Sequence, residues 1–232
     1  MEFGAEAGRG ANFPGTDRNE NGIGSHALFG HLGGDVGVSN SWRAGVSYLH
    51  AKARDREGDL EDLNAVEAET LFTGSSKAWV ADFVWKWAPN GNAAERNFKF
   101  AAEYFRRSED GSLLCADDTA AGGACNGTED DYRSRQSGFY AQGVYQFMPR
   151  WRTGYRYDRL DPGSVDFGAN NAFLPLLDTT PTRHSLMLDF SPSEFSRLRL
   201  QYSKDKSMQD LSENQWFVQY IHSLGAHGAH KF

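Results

Sequence analysis

The chain has 232 residues, 39% of them hydrophobic, and a formal net charge of −7 at neutral pH. No apolar run approaches the roughly 18–20 residues of a membrane helix, and the acidic balance excludes a nucleic-acid partner on electrostatic grounds. The distinctive figures are 13% aromatic residues and 25 glycines, a composition suited to strands and tight turns. Low mean hydropathy is compatible with a transmembrane barrel, which shows lipid only alternate side chains.

Period-2 alternation recurs along the chain, and helical stripes do not. Ten strands are predicted, at 1–8, 25–37, 42–52, 77–87, 96–107, 135–147, 151–160, 183–191, 196–205 and 214–225. Met1 leads straight into the first strand with no export signal ahead of it, so either the signal has been cut away or, the reading preferred, this is the C-terminal piece of a longer exported chain. Trp79, Ala81, Phe83, Trp85 and Trp87 alternate with Val80, Asp82, Val84 and Lys86, and later segments repeat the pattern. Long connections at 9–24, 53–76, 108–134, 161–182 and 206–213 alternate with short ones at 38–41, 88–95, 148–150 and 192–195. Long loops outside and short turns in the periplasm are the outer-membrane arrangement. Trp42, Trp85, Trp87, Phe98, Phe147, Trp151 and Phe190 share the outward parity beside the short turns, as an interfacial girdle requires. The predicted fold is all-β: one antiparallel up-and-down transmembrane β-barrel domain over 1–232, about ten strands of a larger barrel. A soluble sandwich would show the same alternation but has no reason to collect Trp beside its short turns.

Within this scheme Arg43, Asp82, Lys99, Glu103, Arg152, Arg156, Asp158, Asp189, Arg197 and Arg199 point inward. They either line a hydrated pore or plug a narrow lumen with salt bridges. The 53–76 loop, with Asp55, Glu57, Asp59, Glu61, Asp62, Glu67 and Glu69, and the cysteine loop, with Asp117, Asp118, Glu129, Asp130 and Asp131, carry either ordinary solvated loop charge or an acidic mouth that concentrates cations. Cys115 and Cys125 are ten positions apart; a bridge fits an oxidising exterior, and two free thiols are the alternative. The run from Asp17 to Gly22 carries oxygen ligands around a glycine but misses the calcium-loop spacing. His222, His227 and His230 cluster in the tail, where imidazoles at short spacing could chelate zinc. His26, His50 and His184 map to outer strand ends, and His31 points inward. His184 and Ser185 fall on opposite faces of a strand, so no hydrolase triad forms there, and no catalytic residue is assigned. An aromatic last residue, Phe232, is what barrel-insertion machinery reads.

Residues 4–10 (GAEAGRG), 12–19 (NFPGTDRN), 33–50 (GGDVGVSNSWRAGVSYLH) and 223–232 (SLGAHGAHKF) resemble the C-terminal half of a proteobacterial family of zinc-regulated TonB-dependent outer-membrane receptors. The resemblance spans essentially the whole chain. It implies outer-membrane location and uptake of a small solute or metal ion, with zinc as substrate or ligand and no required cofactor. It carries over only the tail histidines as metal contacts. A structural or adhesive barrel, binding partners through its acidic loops, is the alternative.

Overall fold

The computed structural model describes residues 1–9, 23–176, 179–208 and 211–224. Ten strands form one antiparallel sheet in sequential order: β1 (Glu2–Gly8), β2 (Ser25–Val36), β3 (Asn40–Glu61), β4 (Glu67–Trp87), β5 (Asn97–Cys115), β6 (Glu129–Met148), β7 (Trp151–Asp166), β8 (Thr182–Ser193), β9 (Ser196–Lys206) and β10 (Glu213–His222). The meander has β1 and β10 as its two edges. Among the described residues there are no α-helices, only three short 3-10 turns.

Alternation makes two unlike faces. Trp42 stands opposite Trp85, and Tyr48 opposite Trp79. Tyr202 stands opposite Trp216. These side chains are on the face that stays exposed. The buried strand residues, among them Ala51, Ala101, Gln146, Asp189 and Ser203, all have the other parity. A sheet that buries one parity and exposes the other curls toward the buried side, so that side is the inner wall. The outer wall is the apolar one. Between Trp42 and Tyr48 on β3, and between Trp79 and Trp87 on β4, no outward residue is charged.

Two aromatic rows bound this outer band. Trp42, Trp85, Trp87, Phe98, Trp151 and Phe190 mark the short-turn end; Tyr48, Trp79, Tyr104, Phe139, Tyr202 and Trp216 mark the other. Neighbours within each row touch: ring centroids are 4.6 Å apart for Tyr48–Trp79, 4.6 Å for Trp151–Phe190 and 4.9 Å for Tyr202–Trp216. Trp79 to Trp87 is eight residues, about 27 Å along the strand at ~3.4 Å each.

The register also gives the strand tilt. One ladder row runs Trp42, Trp85, Phe100, Gly143, Tyr155, Leu186, Tyr202, Trp216. It starts in the lower aromatic row and ends in the upper one. It has therefore slipped by the six residues from Trp42 to Tyr48, about 20 Å, across seven strand spacings of ~4.8 Å, which is a tilt of about 30°. Corrected for tilt, the band is about 23 Å tall, close to the ~25 Å apolar band of membrane barrels, whose strands tilt by about 35–45°.

The strand ends differ from expectation. Residues 53–76 are mostly strand, about half of 108–134 is strand, and in 161–182 β7 runs on to Asp166 before a connection at 167–181. β3 to β7 run on past the band, and the β3–β4 connection shrinks to 62–66. A bulge between Ala53 and Arg56, with Asp55 at φ 48°, lets β3 continue without swapping its faces. Backbone pairing wins because a hairpin extended by one pair satisfies two more peptide groups. The acidic "loop" of the sequence reading is thus strand: Asp59 stands opposite Glu69 and Glu61 opposite Glu67.

These overhanging strands hold the molecule's apolar core. Ala53, Ala68, Phe72, Leu113, the half-cystines Cys115 and Cys125, Phe167 and Leu174 pack together on the inner side. The Cys115–Cys125 disulfide forms, with Cα atoms 5.5 Å apart. Asn170, fully buried, donates its amide to the Leu113 carbonyl at 2.8 Å. Leu63 N–H bonds the Phe173 carbonyl at 2.9 Å, and the Asn64 amide reaches the Gly122 carbonyl at 3.0 Å. Three hairpin tips are thereby tied into one cap.

Candidate functional site

The inner wall beneath the cap collects the titratable side chains. All ten candidate inward residues lie on this face by register. The sequence reading took their charge as mixed. The register sorts most of it along the strands, about one ladder row that itself climbs with the tilt. One ladder row joins Asp82, Glu103, Tyr140, Asp158, Arg183, Asp205 and Glu213. The cationic candidates all stand nearer the short turns than this row: Arg43 and Arg156 by one inner position, Lys99 by two, Arg152 and Arg199 by three, and Arg197 by four. Each inner position is about 6.7 Å along a strand. Asp189 is the exception among the candidate acids, sitting low on the wall.

Local contacts fix this arrangement. Arg199 meets Asp189 through two bonds, Nε–Oδ1 at 2.7 Å and an Nη at 2.8 Å from Oδ2, so this lone low acid is taken up by one cation. Arg156 bonds Asp158 two residues along the same strand at 2.6 Å and lies 3.8 Å over the Tyr140 ring. Arg183 bridges toward Asp205 at 3.6 Å and donates to Gln215 at 3.1 Å. Ser185 and Ser203 share a buried hydroxyl bond of 2.9 Å between them. A cavity of about 720 Å³ opens here, lined in part by Gln142, Arg156, Asp158, Arg183, Gln201 and Asp205.

On the β2–β4 side a glycine permits a cross-strand bond. His31 on β2 reaches over β3 to Asp82 on β4, Nε2 to Oδ2 at 3.1 Å. Gly45 lies between them, and a Cβ there would fall 2.1 Å from the His31 ring and 2.3 Å from the Asp82 carboxylate. Arg43 approaches the other Asp82 oxygen at 3.9 Å.

At the low end Gln146, inward and buried, donates to the Ala94 carbonyl at 2.7 Å and accepts from Arg152 Nε at 3.1 Å. It ties the 88–96 turn to the base of the wall. The sequence reading missed Gln146 as well as Arg183, Asp205 and Glu213. Parity alone would have marked them inward; their row mates come only from register.

Other sequence-predicted residues disperse. His222 is on the outer face, with its ring 6.3 Å from Tyr220 and nearly parallel to it. His227, His230 and Phe232, and the Asp17–Gly22 run, lie outside the described residues. Among the described residues no three His, Cys, Asp or Glu side chains come together as a metal site. His184 faces outward, accepting or donating a 2.7 Å bond with the Tyr155 hydroxyl, while Ser185 faces inward.

The cap has its own charge chemistry. Asp62 accepts backbone N–H bonds from Ala124, from Val66 at 3.0 Å and from Asn64 at 2.8 Å. These donors, Ala124 first, hold its pKa below the ordinary 3.8. The Ala169 N–H, at 2.6 Å, is the largest cause of the same lowering at Asp130. Burial raises the Tyr132 hydroxyl above its usual value; its ring packs 5.4 Å from Phe72 and 5.7 Å from Phe167. Glu109 is held by Arg56 at 2.8 Å and Arg107 at 2.6 Å.

No family model matches the chain. It is 29% identical over 202 residues to an uncharacterized protein of Aquifex aeolicus (strain VF5), an alignment covering 85% of this chain and 38% of that protein. The chain thus spans well under half the length of this relative. Among solved structures it is similar to a TodX deltaS2S3 mutant monoaromatic hydrocarbon channel, at 13% identity and a TM-score of 0.43, over 81% of this chain and 56% of that one. None of these matches supports the zinc-regulated TonB-dependent receptor family that the sequence motifs resemble.

Proposed function

We propose that the chain forms part of the wall of an outer-membrane β-barrel channel that passes small hydrophilic solutes along its inner face. The observation that carries this reading is the contrast between the walls. The outer one is an uncharged band of about 23 Å bounded by two aromatic rows; the inner one carries charge from end to end. A soluble sheet would bury its apolar face and expose its charged one, and here burial runs the other way. The short-turn end faces the periplasm and the cap faces outward. Further strands of a longer protein close the gap between the β1 and β10 edges, since an open edge in lipid leaves peptide groups unpaired at several kcal/mol each.

Zinc or another metal ion as cargo rests on the family resemblance alone. Planar-bilayer recording with the full-length protein tests the channel: discrete ion-carrying steps are expected, and a silent, correctly inserted protein refutes it. Adding zinc to that recording tests the cargo, with reduced monovalent current as the expected sign of occupancy.

The adhesive reading keeps one specific support, the disulfide-bonded cap that β3–β5 carry about 30–40 Å beyond the band. A protein lacking conductance but retaining cell-surface binding that is lost on cap removal would favour it.

A further inference from the structure

The outer wall is uncharged only up to a definite line, and that line is cationic. Moving toward the cap, the first charged outward residue is Lys77 on β4, Arg106 on β5, Arg159 on β7 and Lys204 on β9, while on β3 and β6 the first outward Lys or Arg, Lys52 and Arg135, stand one outward position higher. His50 on β3 and His184 on β8 occupy the same level. His26 pairs with His50, ring centroids 5.0 Å apart. The belt follows the tilt of the aromatic row and lies just above it: Lys77 is two residues past Trp79, Arg106 two past Tyr104, and Lys204 two past Tyr202.

Two features separate it from ordinary surface charge. No carboxylate shares the belt or the band beneath it among the described residues of β1–β10; the first outward acids, Asp110 and Asp161, come farther toward the cap. The four Lys and Arg side chains are exposed and make no ion pair with a carboxylate of the described residues, whereas Arg107, Arg133, Arg156, Arg183 and Arg199 all do. At the short-turn margin the outward strand residues Asn40, Trp87 and Phe98 are uncharged, and the exposed cations Arg96 and Arg150 lie in the turns themselves rather than in a row on the strands. A row of unpaired cations one step beyond an aromatic girdle, where long side chains extend from the hydrocarbon edge to the headgroups, calls for anions at fixed height on that leaflet.

We infer that this belt binds phosphorylated lipid headgroups of the outer leaflet. Each Lys or Arg contributes a charge-assisted bond to phosphate oxygens, and the adjacent Tyr and Trp rings seat the acyl chains. The inference rests on the membrane reading above and adds the headgroup chemistry and the residues that take it.

The test uses the full-length protein inserted in phosphatidylcholine vesicles, with insertion checked by protease protection of β1–β10. Brominated phosphatidic acid and brominated phosphatidylcholine then compete for the shell, read as quenching of tryptophan fluorescence; Trp79 and Trp216 report from beside the belt. A preference of about tenfold for phosphatidic acid is expected, weakening in high salt and lost in K77Q/R106Q/R159Q/K204Q. The inner-wall variant K99Q/R197Q is expected to keep it. Insertion with equal quenching by both lipids overturns the headgroup inference and leaves the membrane reading standing. Failure to insert in any vesicle overturns both. A preference that survives the quadruple substitution also overturns the assignment to this belt.

Discussion

Asp189 illustrates how a single side chain on the inner wall is constrained. It is almost fully buried and meets the Arg199 guanidinium edge-on. Truncating it leaves a cation with two unpaired donors, so Asp189→Ala is expected to cost about 2–3 kcal/mol in urea unfolding from lipid vesicles. The double replacement Asp189→Leu with Arg199→Met removes both charges and should cost less than the single one. Gly45→Val makes a different point. The new Cβ displaces the flexible His31 ring and Asp82 carboxylate rather than backbone, so it is expected to break the His31–Asp82 bond at about 1–3 kcal/mol and leave the fold intact. Loss of the cross-strand contact in NMR, with unchanged strand amide shifts elsewhere, is the expected record. The inward parity of Asp82, Asp189 and Arg199 was legible in the sequence. Their partners were not, because a pairing such as Asp82 with His31, 51 residues apart, depends on the register of strands that parity leaves free to slide.

At the level of the elements, the cap departs most from the sequence reading. Alternation weakens past Lys77 because both faces there meet water or other hairpins, so the strand continuations at 53–61 and 67–76 read as loop. What holds them is pairing plus a disulfide, worth about 2–3 kcal/mol for a loop this short. C115S/C125S is expected to open 116–128 to protease while β8–β10 stay protected. Acid should act on the same region. Asp62, Asp117, Asp130 and Asp166 all have pKa values lowered by hydrogen bonds, from the Ala124 N–H, the Thr119 side chain, the Ala169 N–H and the Asn171 side chain respectively. A lowered folded-state pKa contributes stability that is present above the unfolded value near 3.8 and lost as pH falls through the folded one. Pepsin is therefore expected to cut the cap below about pH 3 and to spare the strands of the apolar band. Equal cutting of both would show that these carboxylates do not hold the cap.

For the molecule as a whole, strand number, order and the uncharged outer band were all readable from period-2 alternation, since a tilted strand between two aqueous phases permits little else. The tilt required the ladder row from Trp42 to Trp216. The sorting of the inner charges along the strands also required it. Along the chain, Lys99, Glu103, Arg152, Arg156 and Asp158 are intermingled; only the pairing puts Glu103 and Asp158 in one ladder row, with Lys99, Arg152 and Arg156 on its short-turn side.

That sorting has an electrical consequence. Along each strand the candidate bases stand on the short-turn side of the row from Asp82 to Glu213, and a conduit biased in this way resembles a junction between two oppositely doped segments. One polarity of voltage drives mobile ions of both signs into the passage, and the other drains them from it. The single-channel current–voltage curve of the full-length protein is therefore expected to be asymmetric at ~0.01 M salt, where the Debye length is about 30 Å, and to straighten at 1 M, where it is about 3 Å. Exchanging the low belt, as K99E/R152E/R197E, should abolish the asymmetry; an ohmic curve in the unmodified protein at low salt would mean that strands beyond these ten cancel the dipole of this wall.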